Sequence, residues 1–210
     1  MRTLYVLAIL AGACPCFCQS LLLGVKGGAR LTDDITGSAT SESKRYIIGP
    51  AVELQLPLGL GVEFDALYRR EGYYSASNYV EPSFQRERAN SWEFPILLKY
   101  RFGPPVVKPY VAAGYAPRVI SGGIDVGGQV CNPVTGACTT FSSHSGTNWN
   151  ISHGIVLGGG VQVGVGSLRL SPEVRYTRWN NAAINPMAHD PFQSTQNQLD
   201  VLLGIAWKVH

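Results

Sequence analysis

The sequence is short of the features that would make a helical membrane protein or a nucleic-acid-binding protein. Beyond residue 20 it has no window of about 18 uninterrupted apolar residues, which a transmembrane helix would need. No apolar pattern with the 3.6-residue period of an amphipathic helix persists. Charged residues make up only 15% of the chain, and lysine and arginine form no cluster, so nucleic-acid binding has no support. Twenty-four glycines and the low charge fit an all-β chain better.

The first twenty residues have the organisation of an export signal. Arg2 supplies positive charge, and an apolar run follows from Leu4 to Ala13, too short to cross a bilayer as a helix. We expect cleavage between residues 13 and 20, which leaves a barrel domain over 21–210. Because 11-AGAC-14 also resembles a bacterial lipobox, a lipidated Cys14 is the alternative, although Leu10 lies one position too far from the cysteine.

Two cysteines remain after such a cleavage, Cys131 and Cys138. They flank Asn-Pro and Thr-Gly turn residues in an exported chain, which predicts a disulfide that closes a small loop. A metal site would require further cysteine or histidine ligands, and the nearest histidine, His144, stands alone. We therefore expect neither a metal nor any other cofactor.

Apolar and polar residues alternate with a period of two in segments of the ~9–11 residues that a tilted membrane strand needs. Four segments show this clearly and four more weakly, because glycine and alanine blur the pattern: 60–69, 92–102, 168–177 and 198–209, then 21–31, 45–56, 108–119 and 153–164.

The connections between these eight segments alternate in length. Three are tight and rich in glycine or proline, whereas four are long and polar: 57–59, 103–107 and 165–167, against 32–44, 71–90, 120–151 and 179–196. Such alternation places every long loop at one end, as in outer-membrane barrels with short periplasmic turns and long extracellular loops. It predicts an all-β fold, an eight-stranded antiparallel up-and-down transmembrane β-barrel.

The polar faces of the strands carry nearly balanced charge, with eight basic and six acidic residues: Lys26, Arg30, Glu53, Glu63, Asp65, Arg69, Glu93, Lys99, Arg101, Arg169, Glu173, Arg175, Asp200 and Lys208. In a soluble, lipocalin-like carrier these residues would face water. In a membrane barrel they would face the lumen and neutralise one another, since a low-dielectric interior disfavours unpaired charge. Eight strands enclose a space that side chains fill, so we expect a plugged lumen.

Aromatic residues favour the membrane alternative. One group lies near the loop-side strand ends and another near the turn-side ends: Tyr46, Tyr68, Trp92, Tyr176 and Trp179, then Tyr100, Phe102 and Trp207. Two girdles around an aliphatic middle are expected where rings meet the two interfaces of a bilayer. The predicted location is a bacterial outer membrane, with its lipids as partners.

Candidate catalytic residues occur without a defining spacing. Ser142, Ser143 and His144 share one loop, Ser152-His153 opens a strand, and His189-Asp190 lies in the last long loop. Acyl transfer requires a nucleophile, a base within hydrogen-bond reach and an orienting acid, and no spacing here fixes that geometry. We expect no enzyme.

Two segments resemble bacterial outer-membrane proteins of the small β-barrel-domain family. These are 108-KPYVAAGY-115 and 168-LRLSPEVRY-176, and the closing strand with Gly204, Trp207 and Val209 is similar to the signal that the barrel-insertion machinery recognises. The resemblance covers residues 21–210. It implies the barrel fold and that machinery as a partner during biogenesis, and it implies no catalytic residues.

The expected role is structural or interactive, through extracellular loops whose partner the sequence does not identify. Three alternatives remain: an outer-membrane lipid-modifying enzyme, a narrow channel and the soluble carrier.

Overall fold

The computed structural model describes residues 20–33, 35–37, 40–77, 83–104, 106–132, 134–181 and 192–209. The expected signal peptide lies almost wholly outside these residues. The described residues form thirteen strands and one short 3-10 helix (Pro57–Gly59): β1 (Ser20–Arg30), β2 (Ile35–Gly37), β3 (Thr40–Ser41), β4 (Tyr46–Gln55), β5 (Leu60–Asp65), β6 (Leu67–Ser77), β7 (Ser83–Glu93), β8 (Ile96–Arg101), β9 (Val107–Cys131), β10 (Cys138–Val165), β11 (Leu168–Trp179), β12 (Phe192–Ser194) and β13 (Asn197–Val209). None of the helical structure in this part of the chain is long and apolar enough to cross a membrane.

The principal sheet closes into a ring of eight antiparallel barrel strands. The pairs β5/β6 and β7/β8 each form one barrel strand with a short interruption, at Ala66 and at Phe94–Pro95. Closure is made by β1 and β13, whose register runs from Leu21 opposite Val209 to Arg30 opposite Asp200. The ring confirms the predicted fold and the predicted number of strands.

Three prolines lie near the two interruptions. Across them the sheet is bridged by hydrogen bonds from Asp65 N to Pro95 O (3.1 Å), Ala66 N to Pro50 O (3.0 Å) and Phe94 N to Pro117 O (2.9 Å). Proline cannot donate to a ladder, so it marks bends and bulges in strands.

Two glycines allow the backbones to come close at this level. A Cβ at Gly49 would lie 1.8 Å from the Ala66 carbonyl oxygen, and one at Gly114 would lie 2.0 Å from that of Ile96. A larger residue at either position would force the strands apart.

Two of the four predicted loops are wrong. Most of 71–90 belongs to β6 and β7, and most of 120–151 belongs to β9 and β10. These strands are hydrogen-bonded to each other well beyond the rest of the barrel, with Ser83 of β7 opposite Gly128 of β9. Both of their faces carry polar residues there, so the apolar alternation that signals a half-buried strand is absent. We call this part, residues 70–77, 83–90, 120–132 and 134–151, the extension.

In their described residues, the other two predicted loops contain only short strands. In 32–44 lie β2 and β3, and β2 pairs with β12 of the 179–196 segment. Residues 182–191, with His189 and Asp190, lie outside the described residues.

Burial is the reverse of that in a soluble protein. Among the described residues, twenty-two buried side chains are polar or charged and thirteen are hydrophobic. Along β8 the pattern alternates strictly, so that Leu98 is 57% exposed while its neighbour Lys99 is 1% exposed. The apolar stripe therefore faces outward and the charged stripe faces the lumen, opposite to what a soluble barrel requires.

Candidate functional site

The lumen contains two clusters of ion-paired side chains. The lower cluster, nearer the short turns, has four cations and four carboxylates: Lys26, Lys99, Arg101 and Arg175 with Glu53, Glu63, Asp65 and Glu173. The Lys26 amino group lies 2.5 Å from a Glu63 oxygen and 3.1 Å from a Glu173 oxygen. Arg175 contacts three carboxylates at 2.7 to 3.2 Å, including Asp65. The formal charges of the cluster cancel.

Tyr110 ties the lower cluster to the β9 wall. Its hydroxyl donates to Glu173 at 2.9 Å, and the Lys99 amino group lies 4.4 Å from the centre of its ring. The ring thus covers a cation while the hydroxyl serves a carboxylate.

The upper cluster is organised by a side-chain amide, that of Gln198. Its oxygen accepts hydrogen bonds from Arg30 (2.8 Å), Arg69 (3.3 Å) and the Trp179 indole (2.7 Å). Its nitrogen donates to Asp200 at 2.7 Å and to Glu93 at 3.3 Å. An amide can serve both signs of charge, so Gln198 connects cations to carboxylates across the lumen.

Around Gln198 the charges again balance. Arg69 lies 2.8 Å from Glu71 and 2.7 Å from Glu93. Three buried arginines and three buried carboxylates make up the whole cluster: Arg30, Arg69 and Arg118 with Glu71, Glu93 and Asp200. Burying a charge is costly unless it is paired and hydrogen-bonded, and Arg69 meets that condition with two carboxylates. Arg118 instead donates to Ser152 and lies over the Trp179 ring, and Asp200 accepts from the Gln198 amide.

Most of the predicted lumen residues meet in these clusters, but Arg169 and Lys208 do not. Both are only half-buried near the turn-side end, and within the described chain neither forms an ion pair. Arg169 instead donates to the backbone oxygens of Gly166 and Leu168. Close to the interface a cation is solvated and needs no carboxylate.

Trp179 corrects another prediction, because it does not belong to the outer girdle. It is 1% exposed and lies in the lumen, where the Arg118 guanidinium sits 4.0 Å from its ring. Its position in β11 has the same parity as Glu173 and Arg175, which both point inward. That parity was visible in the sequence and outweighs the tendency of tryptophan to sit at an interface.

Several lumen residues escaped the sequence analysis. Glu71 lies in a segment predicted as a loop, and the charge of Arg118 has no predicted role although its strand is predicted. Gln198 begins a predicted strand, but nothing in the sequence marks an uncharged side chain as the centre of a charge cluster.

The other predicted girdle residues face outward. Tyr68 and Trp92 are neighbours with ring centroids 5.2 Å apart, and Tyr100 and Phe102 are neighbours at the opposite end. Tyr46, Tyr176 and Trp207 are also exposed. From Trp92 to Phe102 the chain spans about 25 Å along the barrel axis, the height of the apolar band in membrane barrels.

Among the described residues, the serine and histidine candidates do not assemble into a catalytic site. Ser152 faces the lumen and accepts a hydrogen bond from Arg118 (2.9 Å), whereas His153 faces outward, 2.5 Å from the Tyr115 hydroxyl. His144 is exposed and pairs with Asp125 at 2.6 Å. No serine is bonded to either histidine in the described residues, and no metal-binding group of three or more His, Cys, Asp or Glu side chains occurs there.

The structure joins Cys131 and Cys138 in a disulfide at the tip of the β9–β10 hairpin.

A closed antiparallel barrel with a charged lumen and an apolar outer surface belongs to the class of small transmembrane barrels. No protein-family model matches the chain, and no curated protein matches it.

Similar solved structures exist. A major outer-membrane protein of Thermus thermophilus matches with a TM-score of 0.51 and 12% identity, over 92% of this chain and all of that one. Neisserial surface protein A matches with a TM-score of 0.43 and 14% identity, over 90% of this chain and 97% of that one. The N-terminal β-barrel domain of Pseudomonas aeruginosa OprF has a TM-score of 0.40, 12% identity and the same coverage. The match to the Thermus protein and the closed ring of eight strands give the chain the fold of a small bacterial outer-membrane β-barrel, as its sequence motifs predicted.

Replacement of Lys26 by methionine tests the lower cluster. The variant leaves Glu63 and Glu173 short of a cation in a buried site, so we expect it to lose about 3–5 kcal/mol of unfolding free energy in detergent. Lys208→Met is the matched control, because Lys208 forms no ion pair in the described chain, and we expect less than about 0.5 kcal/mol there. Equal urea midpoints for the two variants would contradict the account.

Glu87 makes the stability of the extension depend on pH. Burial, followed by repulsion from Glu71, raises the pKa of the Glu87 carboxyl from 4.5 to about 7, while a hydrogen bond from Tyr73 opposes the rise. The folded extension therefore binds the proton more tightly than the unfolded chain does. Its stability is full below pH 4.5 and falls as the pH rises through 7.

We expect amide hydrogen exchange in β6 and β7, corrected for intrinsic rates, to reveal more opening at about pH 8 than at about pH 5.5. Glu87→Gln keeps the shape without the charge and should abolish that difference. An unchanged difference in the variant would assign the effect to another group.

Proposed function

We propose that this protein is an integral barrel of a bacterial outer membrane that serves as a surface-interaction module, with a lumen closed to solutes. The reversed burial carries the proposal, because a balanced charged interior inside an apolar surface is stable only when lipid replaces water around it. The signal-like N-terminus and the closing strand support export, and insertion by the barrel-assembly machinery.

Closure of the lumen is supported by its contents. The two clusters lie inside the barrel from Glu53 to Arg118, and the cavity beside Lys26 has a volume of about 20 Å³, close to that of one water molecule. Ion pairs that bridge opposite walls, such as Arg175 with Asp65, would have to break before a solute could pass.

Surface interaction is supported by the shape of the extension. From Val119, which pairs with the girdle residue Trp92, β9 continues for about 40 Å along the strand to Cys131. Phe84, Val130 and Phe141 are exposed on this sheet, where no lipid covers them. These three side chains are candidate contacts for a protein partner. An enzymatic role has no nucleophile–base pair to support it in the described residues.

Planar-bilayer recording tests the closed lumen. We expect the purified protein, once inserted, to give no discrete current steps, because the ion-paired side chains fill the cross-section. Reproducible single-channel steps that vanish on heat denaturation would contradict closure and favour the narrow channel.

The orientation can be tested by labelling intact cells with a membrane-impermeant maleimide. Ser142→Cys, on the extension, should react at once. Ser167→Cys, in a tight turn, should react only after the outer membrane is permeabilised. Reaction of Ser167→Cys in intact cells, with protection of Ser142→Cys, would show the opposite orientation.

A further inference from the structure

A basic groove lies on the outer face of the extension. It is lined by Lys44, Arg70, Arg86 and Arg88, with Glu42 at one edge and Gly72 as its floor, and it encloses about 380 Å³. Three adjacent segments supply these residues, since Glu42 N bonds to Gly72 O (2.9 Å) and Lys44 N to Arg70 O (2.9 Å) beside β6. We refer to these six residues as the basic groove.

The position of the groove relative to the girdle follows from strand parity. Arg70 comes two residues after Tyr68 on the same outer face, and Arg88 comes four residues before Trp92. From the rise and tilt of a barrel strand, the Cα atoms of Arg70 and Arg88 lie about 5 and 10 Å above the level of the aromatic rings, toward the extension. That is where the headgroups of the outer leaflet would lie.

The charge of the groove is mostly uncompensated. Arg86 makes two bonds of 2.7 Å to the Glu42 carboxylate, and this bidentate pair lowers the pKa of Glu42. Within the described chain, no carboxylate is ion-paired to Lys44, Arg70 or Arg88. Glu71 also borders the cavity, but its side chain is buried in the lumen against Arg69. Four cations against one carboxylate leave a net charge of +3.

The lack of a side chain at Gly72 keeps the basic groove open. A Cβ at Gly72 would meet the Glu87 carbonyl oxygen at 2.7 Å and the Glu42 Cβ at 3.7 Å. Without a side chain there, Arg70 and Arg88 flank an open space in which two guanidinium groups and one amino group can converge on one anion.

We propose that the basic groove binds the phosphate groups of an anionic outer-leaflet lipid, whose acyl chains lie against Tyr68 and Trp92. Arginine pairs bidentately with phosphate, and the apolar belt begins directly below, so one lipid molecule matches both surfaces. The inference rests on the proposed membrane location and names the lipid chemistry of that site.

Native mass spectrometry of the protein in nanodiscs tests the proposal. Discs of phosphatidylcholine alone are compared with discs that also contain lipid A, a phosphorylated glycolipid. We expect wild-type protein to retain lipid A on release from the disc. Removal of two cations in Arg70→Gln/Arg88→Gln should weaken retention about 30-fold.

The matched control is Lys108→Gln/Lys208→Gln, which removes two charges at the turn-side end and should retain lipid A like the wild type. Equal retention by the two double variants would overturn the proposal. So would retention that millimolar inorganic phosphate abolishes, since the groove would then recognise free phosphate instead of a lipid.

The experiment separates a failure of the proposed membrane function from a failure of the groove assignment. If the protein does not enter phosphatidylcholine discs at all, the proposed membrane function is wrong. If it enters them and shows no preference for lipid A, only the assignment of the basic groove is wrong.

Discussion

The rest of the structure depends on the pairing of charge inside a space that water does not fill. A sheet that crosses a bilayer must close, because an unpaired strand edge in hydrocarbon is too costly, and closure between β1 and β13 turns one face of every strand inward. With eight strands, that inner face has room for side chains and little else. The charges on it must therefore meet opposite charges, as they do in the two clusters centred on Glu63 and Gln198.

The membrane also determines which residues the outer face of the barrel carries at each height along its axis. At the level of the apolar belt, the outer face has no freedom beyond apolar and aromatic side chains. Above Trp92 the outer faces of β7 and β9 leave the apolar belt, and the strands become free to carry Arg88, Phe84 and the Cys131–Cys138 tip. The surface features on which the proposed interactions rest lie there, on a hydrogen-bonded sheet.

The sequence predicts the structure well where lipid contacts one face of the strands, because that face must be apolar and the residues then alternate with a period of two. The eight barrel strands, the short turns and the lower cluster all follow from that pattern, and Lys26, Glu63 and Glu173 are where parity places them. The prediction failed for the extension, because strands with polar residues on both faces lose the apolar alternation. It failed for Trp179, because the preference of tryptophan for the interface predicts an outward side chain whereas its position in the strand predicts an inward one. It failed for Gln198, because a list of charged residues does not include an uncharged side chain. The basic groove combines Lys44 with Arg70 and Arg88 only through strand register, which no linear pattern reveals.

The most direct test of the central claim is the environment of the outer face in a lipid bilayer. Spin labels at Val201→Cys, Leu203→Cys and Ile155→Cys should be accessible to oxygen and shielded from a water-soluble nickel chelate, because these side chains face outward within the apolar belt. A label at Ser142→Cys, on the extension, should show the reverse. Ready access of the chelate to positions 155, 201 and 203 would contradict the account, since it would mean that water and not lipid surrounds the barrel.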